Sequence, residues 1–195
     1  MFSVTRRQTL QAAPLLGMAL LQDRAARAAE LSPTPACGDE HPPTSANAEG
    51  PYFKPRSPKR PSLIEAGMAG DKLIVSGAVL TSTCKPIAEA MLDFWQADHD
   101  GEYDNTGFRL RGHLLTGKDG TFRLETIMPG FYPGRTRHIH VMAIAPGGVT
   151  LTTQLYFPGE RLNAKDFLFR PDLVVTLAED SGVKAARFDF VLKVG

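Results

Sequence analysis

The sequence Phe188-Asp189-Phe190-Val191-Leu192-Lys193-Val194 alternates apolar and polar side chains along most of its length. Because successive side chains of a β-strand point to opposite faces, this alternation predicts a strand with one buried and one wetter face. Two sheets built from such strands bury their apolar faces by packing together. The stretch therefore favours a β-sandwich.

Segments upstream of this stretch are also short and rich in β-branched and aromatic residues, as strands are. They are Leu73–Leu80, Met91–Ala97, Phe108–Leu115, Thr121–Ile127, His138–Ala145, Thr150–Phe157 and Leu173–Leu177. Turn formers such as Pro129-Gly130 separate them at spacings too short for crossover helices. Only Arg161–Phe169 could form a short helix. The sequence predicts an all-β fold, a mainly antiparallel β-sandwich of about eight strands.

The bulk composition is that of one globular domain, with 195 residues, 43% of them hydrophobic and 22% charged. The formal net charge is +1, and basic residues are interspersed with acidic ones, which argues against a nucleic-acid partner. We expect the sandwich domain to occupy residues 63–195. Residues 29–62, rich in Pro, Gly, Ser and Asn, are predicted to form an extended arm lying on that domain.

The first 28 residues have the pattern of an export signal. Arg6-Arg7 precedes the apolar run Ala12–Leu21, and Ala26-Arg27-Ala28 follows as a small-x-small cleavage pattern. Paired arginines indicate the twin-arginine route, although Thr9 stands where Phe is commoner, so an ordinary secretory signal stays open. The apolar run is too short for a mature membrane span. We expect a periplasmic or extracellular protein.

The expected compartment determines how the two cysteines are interpreted. An oxidising environment permits a disulfide between Cys37 and Cys84, the one intramolecular pairing available. Two unpaired cysteines remain the alternative, because sequence separation does not give the distance between two Cα atoms.

Two histidines and two tyrosines are candidates for metal ligands. His138 and His140 flank Ile139 in a predicted strand, so both imidazoles point to one face and can bind one ion. Tyr103 follows the predicted strand Met91–Ala97, and Tyr132 lies in the tight connection before His138. Taken singly, each has a plain structural alternative: a solvent-facing histidine pair, a hairpin-tip aromatic and a packing tyrosine.

The joint pattern resembles the intradiol ring-cleavage dioxygenases, the family of protocatechuate 3,4-dioxygenase and catechol 1,2-dioxygenase. The resemblance runs from about Glu49 to the C-terminus. Its motifs, in chain order, are Glu49-Gly50-Pro51-Tyr52-Phe53, Trp95-Gln96-Ala97, Thr116–Phe122, Pro129-Gly130, Gly134–Val141 and Thr153–Phe157. Several of these motifs are weak alone, but their order and spacing together are specific.

This resemblance implies an Fe(III) site with four protein ligands, Tyr103, Tyr132, His138 and His140. It also implies that Arg135 is the active-site arginine, which stabilises carbanion character in the substrate, and that Gln154 is a polar residue near the iron. The implied substrates are a small aromatic diol and O2, and the implied product is a cis,cis-muconate. In the family mechanism the substrate displaces the tyrosine that matches Tyr132. Two phenolates and two imidazoles suit Fe(III) better than softer ions.

Other interpretations share the fold, so the site must distinguish them. A transthyretin-like or carboxypeptidase-regulatory-like binding module without enzymatic activity is the main alternative. A zinc hydrolase would need a carboxylate ligand and a general base, and neither stands at motif spacing. The sequence does not select one catechol, and it leaves the oligomeric state, including a homo-oligomer, open.

Overall fold

The computed structural model of the protein describes residues 42–180 and 182–194, all within the compact unit Ala36–Gly195. The predicted export signal, the first residues of the arm and Cys37 lie outside the described residues. Cys84 is disulfide-bonded, while its pairing with Cys37 stays a prediction. In the described ranges, no helix has the length and apolar character needed to cross a membrane.

The described residues form nine strands in two sheets. The strands are β1 (Lys72–Thr81), β2 (Met91–Trp95), β3 (Arg111–Leu115), β4 (Thr121–Ile127), β5 (His138–Ile144), β6 (Thr150–Tyr156), β7 (Thr176–Asp180), β8 (Val183–Arg187) and β9 (Phe190–Leu192). The first sheet has the order β4-β1-β8-β7, with β9 also beside β1, and the second has the order β3-β2-β5-β6. The predicted all-β sandwich is confirmed.

Alternate residues of the two sheets build the main apolar core. Leu73 and Val75 of β1 and Leu92 and Phe94 of β2 are fully buried in the same cluster. Alternate residues of β2 therefore point to the opposite face of the second sheet. This opposite face lies beneath the arm, which meets β3 through the bridge between Lys59 and His113. Polar residues buried on this face are thus covered by the arm.

Three segments between Arg161 and Arg187 differ from the prediction. The predicted strand Leu173–Leu177 is replaced by a 3-10 turn, Pro171–Leu173, followed by β7. Proline fixes its own φ and suits the start of such a turn. The predicted helix Arg161–Phe169 is only the 3-10 turn Arg161–Ala164. Val183–Arg187 was not predicted as a strand, because the lysine and two alanines that follow Val183 are poor strand formers. In the structure this segment pairs on both sides, with β1 and β7.

The predicted continuous strand Phe188–Val194 is wrong at both ends. Only Phe190–Leu192 is a strand, and all three of its residues are buried, so its faces do not alternate. A Cβ on Gly77 of β1 would lie 1.8 Å from the Phe188 carbonyl oxygen, so glycine permits this close approach. The Asp189 carboxylate accepts the Ala78 N–H at 2.8 Å in place of a ladder bond. Here β8 and β9 are parallel to β1, within a mainly antiparallel fold.

The described part of the arm, residues 42–62, has no helix or strand of its own and bonds to the sandwich at several points. Its backbone donates from Thr44 to the Val191 carbonyl and from Asn47 to the Thr152 carbonyl, both at 2.9 Å. Farther along, Arg60 donates to the His113 carbonyl at 2.9 Å. The arm therefore passes from β9 across β6 to β3 and brings Tyr52 to the polar face of the second sheet.

Candidate metal centre

One row of residues across the second sheet forms the floor of the site. Trp95 of β2 is paired with Arg111 of β3 and with His140 of β5, and His140 is paired with Gln154 of β6. Residues directly opposite each other in a sheet point to the same face. All four are almost fully buried. Trp95 stacks on His140 with ring centroids 4.9 Å apart and an interplanar angle of 7°.

Three donor atoms converge above this row. The Nε2 atoms of His138 and His140 lie 3.2 Å apart, and Tyr103 Oη lies 3.3 Å from His138 Nε2. Donors that bind one ion at about 2.1 Å, as nitrogen and oxygen ligands of zinc do, are separated by about 3.0–3.4 Å at bond angles of about 90–110°. The positions of Tyr103, His138 and His140 therefore fit a single metal ion.

Both imidazoles are in the state that a metal ligand requires. His138 Nδ1 donates to the Thr136 carbonyl at 2.7 Å, which leaves the Nε2 lone pair free. Burial, followed by the charge of Arg135, lowers the pKa of His138 to about 4. Burial, followed by His138, lowers the pKa of His140 well below its usual value. His140 Nδ1 has no hydrogen-bond partner among the described residues, although the Ala48 carbonyl is close enough to raise its pKa slightly. Neutral imidazoles are therefore available at neutral pH.

Tyr103 is a buried phenol that lies next to the buried Arg111. Burial raises the pKa of Tyr103, and the charges of Arg135 and Arg111 oppose that rise. The Arg111 guanidinium lies 6.0 Å from the Tyr103 ring centre and donates to the Asp104 carbonyl at 3.1 Å. It also donates to the Tyr52 carbonyl. Arg111 thus links the loop of Tyr103 to the arm.

Tyr132 lies at the edge of the donor cluster. Its ring meets that of Tyr103 edge-on, with centroids 6.0 Å apart. Its hydroxyl accepts a hydrogen bond from Tyr52 at 2.9 Å, and this bond raises the pKa of Tyr52. In the part of the chain that the structure describes, no hydrogen bond joins Tyr132 Oη to His138 or His140. The ring of Tyr132 thus lies beside the donor cluster, while its hydroxyl is hydrogen-bonded to Tyr52.

The loops that carry the two tyrosines are in direct backbone contact. The Asp98 carboxylate accepts the N–H groups of Asp100 and Glu102 at 3.0 Å, which shapes the loop before Tyr103. The Asp98 carbonyl accepts the Gly130 N–H at 2.6 Å, which attaches the loop of Tyr132. A Cβ on Gly101 would lie 2.1 Å from the Phe131 carbonyl oxygen. Only glycine lets the two loops approach this closely.

Arg135 is buried in an ion pair. Its Nε donates to both carboxylate oxygens of Asp166 at 2.9 Å, and its Nη2 donates to Gln154 Oε1 at 2.6 Å and to Tyr156 Oη at 3.3 Å. The side chains of Arg135 and Asp166 are 10% and 0% exposed. Arg135 is therefore a buried residue of the site, and its positive charge lowers the pKa of both histidines.

Gln154 bonds to its neighbours through both its amide oxygen and its amide nitrogen. Its Oε1 accepts from Arg135 and from Tyr156, and its Nε2 donates to the Ala48 carbonyl of the arm at 2.6 Å. Burial raises the pKa of Tyr156 to about 12, so its hydroxyl stays a donor. The structure therefore places Gln154 beside His140 as a support for Arg135 and the arm.

Several residues of the site were not assigned a role from sequence, among them Tyr52, Arg111, Tyr156 and Asp166. Tyr52 and Tyr156 belong to motifs of the resemblance, which was the signal that could have found them. Asp166 lies in the segment predicted as a helix, where no spacing links it to Arg135, which is 31 positions away.

The fold and the donor set define a β-sandwich with a candidate non-haem metal centre built from phenols and imidazoles. The dioxygenase family model matches residues 48–194. The chain therefore belongs to the intradiol ring-cleavage dioxygenases, as the sequence motifs indicated. Members of this family depend in general on non-haem iron.

Solved structures and curated proteins agree with this assignment. The dioxygenase domain of a dioxygenase carbohydrate-binding protein fusion from Streptomyces sp. SirexAA-E is 55% identical, with a TM-score of 0.77 over 79% of this chain and 100% of that chain. The 3-chlorocatechol 1,2-dioxygenase of Rhodococcus opacus 1CP is 29% identical, with a TM-score of 0.71 over 78% of this chain and 74% of that chain. Hydroxyquinol 1,2-dioxygenase of Nocardioides simplex is 33% identical over 65% of this chain and 51% of that protein, so this chain spans about half the relative's length.

Proposed function

We propose that the chain is an Fe(III)-dependent dioxygenase that opens a catechol-type ring between its two hydroxyl groups, consuming O2 and giving a cis,cis-muconate-type product. The observation that carries this proposal is that Tyr103 Oη and His140 Nε2 lie 3.3 Å and 3.2 Å from His138 Nε2. Family membership supports it, because the relatives include chlorocatechol and hydroxyquinol 1,2-dioxygenases.

Tyr103, Tyr132, His138 and His140 would hold the iron. When bound, a ferric ion lowers the pKa of a catechol's hydroxyl groups and withdraws electron density from its ring. The three buried donors are fixed by the sheet and by Arg111. Tyr132 differs, because its oxygen already bonds to Tyr52 at 2.9 Å. As a phenolate, Tyr132 could leave the cluster when a diol enters and accept a proton from that diol on its Oη, which would make it a neutral phenol.

Arg135 would stabilise negative charge that develops on the substrate ring. Its guanidinium is permanently charged, and Asp166 and Gln154 fix its position before any substrate binds. Donors that are oriented in advance in a water-poor site stabilise developing charge without reorganisation. Gln154 would contribute by holding this guanidinium.

A sandwich module that serves only for binding is the runner-up. It has no need of two buried neutral imidazoles facing a buried phenol, because burying such polar groups without a partner costs free energy. A colourless protein that leaves catechol and O2 unconsumed would favour that module.

The test combines metal content with the visible spectrum. We expect one iron per chain and a tyrosinate-to-iron charge-transfer colour that weakens in Tyr103→Phe and in Tyr132→Phe. Each change keeps the ring and removes only the donor oxygen. Tyr156→Phe is the matched control, since Tyr156 Oη bonds to Gln154 and Leu168. If Tyr103→Phe and Tyr132→Phe both keep the parent iron content and spectrum, the ligand assignment fails.

We also propose that the protein is exported by the twin-arginine route, on the pattern of Arg6-Arg7 before an apolar run. Replacing both arginines with lysine keeps the positive charge and removes the recognised pair. We expect the precursor then to accumulate in the cytoplasm, as seen by fractionation and immunoblotting. Unchanged export would indicate the general secretory route instead. Two free thiols in the unfolded, unreduced mature protein would contradict the Cys37–Cys84 pairing.

A further inference from the structure

The Asp166 carboxylate is a fully buried charge with every contact supplied by the protein. Besides Arg135 Nε, it accepts the Thr136 N–H on Oδ2 and the Leu168 N–H on Oδ1, all at 2.9 Å. Its side chain is 0% exposed. Two backbone donors from different segments therefore fix the carboxylate independently of Arg135, and the arginine is bonded to a rigid partner.

This contact determines which edge of the Arg135 guanidinium is left for another molecule. Nε is taken by Asp166, and Nη2 is taken by Gln154 and Tyr156. Among the described residues, no hydrogen bond uses Nη1. A guanidinium is planar, so fixing two of its nitrogens fixes the direction of the third. Nη1 is the donor that remains for a bound molecule.

We infer that Asp166 is a positioning residue for ring cleavage: it holds the Arg135 guanidinium so that Nη1 points toward the bound diol. This inference rests on the proposed function. An arginine side chain otherwise samples many rotamers, and a misplacement of about 1 Å in a reacting group can cost about 10²-fold in rate. Asp166 removes that freedom and also supplies the counter-charge that a buried guanidinium needs.

A purely structural role makes a different prediction. If Asp166 only connects Thr136 to Leu168, its loss weakens the fold through a pathway that does not involve Arg135. If it acts through Arg135, its loss has no further effect on turnover once Arg135 is gone. A double-mutant cycle distinguishes the two cases.

The experiment measures kcat per bound iron at saturating catechol for Asp166→Asn, Arg135→Leu and the double variant. We expect Asp166→Asn to lower kcat by about 10- to 100-fold, and the double variant to match Arg135→Leu within about twofold. Multiplying effects in the double variant would overturn the inference. Asp172→Asn is the matched control, because Asp172 bonds to Arg170 at 3.1 Å with both side chains 48% exposed. We expect its turnover to equal the parent's.

A second measurement needs neither iron nor turnover. In metal-free protein, the Arg135 Nε–H, bonded to both Asp166 oxygens, should give an NMR signal protected from solvent exchange. We expect Asp166→Asn to abolish that protection, and Asp166→Glu, which keeps the charge but moves the carboxylate by one methylene, to weaken it. An unchanged signal in both variants would overturn the inference. If the parent protein cleaves no catechol, the proposed function fails, while this signal still decides whether Asp166 fixes Arg135.

Discussion

Replacing Gly101 with alanine tests whether contact between the two tyrosine loops sets the geometry of the donor cluster. Gly101 has φ +91, and an added Cβ would lie 2.1 Å from the Phe131 carbonyl oxygen. Phe131 immediately precedes Tyr132, and Gly101 lies two residues before Tyr103. The added methyl group therefore presses against the backbone of the loop that carries Tyr132.

The size of the effect has two parts. A left-handed backbone costs an alanine about 1–2 kcal/mol, wherever it stands. A carbon and an oxygen in van der Waals contact need about 3.2–3.5 Å, so the loops must separate by about 1 Å. A shift of this size in a catalytic group can cost about 10²-fold in rate. We expect Gly101→Ala to lose about 10²-fold in turnover per chain, together with part of its iron.

Gly147→Ala is the matched control, because Gly147 has φ +99 and nothing lies within 4 Å of an added Cβ. It should lower the free energy of unfolding by the backbone cost alone and keep parent iron, spectrum and turnover. The assays are urea unfolding, iron content and product formation on both variants. If Gly101→Ala matches Gly147→Ala in iron content and turnover, the contact between the loops does not position the phenols.

Other changes address the charge, the pH response and the support of the site. Arg135→Leu should keep its iron and colour, because a guanidinium is a poor ligand for a cation. Its kcat per iron should fall by about 10²–10³-fold. Near-parent turnover would remove Arg135 from the mechanism. In metal-free protein the folded pKa of His138 is about 4 against 6.5 unfolded. Between these values the unfolded state binds the extra proton, so His138 alone should lower the free energy of unfolding by up to about 3 kcal/mol as pH drops from 6.5 to 4, and His140, whose pKa is also lowered, adds to this fall. Urea unfolding across this range checks it, and an equally steep slope in His138→Gln would contradict it. Gln154→Leu removes the buried donor that bonds to the Ala48 carbonyl. In the same assay it should lower the free energy of unfolding by about 1–3 kcal/mol. Unchanged stability would show that the amide is dispensable.

Most strands could be predicted from the sequence, because a run of β-branched and aromatic residues bounded by turn formers is visible within the strand itself. Thr121–Ile127 is a strand with the predicted bounds, and His138–Ala145 and Thr150–Phe157 each end one residue earlier than predicted. Val183–Arg187 has no such pattern, and it becomes a strand because β1 and β7 flank it. Pairing from both sides outweighs weak strand propensity.

For the candidate histidine ligands, the sequence predicted their common face but not their protonation state. The common face of His138 and His140 follows from the two-residue period of a strand, so the sequence alone predicted it. Their neutral state does not follow from that period. It comes from burial beneath the arm and from the nearby charge of Arg135, which lower both pKa values.

Sequence by itself determined the strand pattern, the histidine pair and, through motif order, the family and the candidate set of Tyr103, Tyr132 and Arg135. Tertiary structure decided how these residues are held. Tyr52 reaches Tyr132 from 80 positions away, and Asp166 reaches Arg135 from 31 positions away. A hydrogen bond depends on distances of about 3 Å in space and leaves no periodic trace along the chain, whereas strand alternation repeats every two residues.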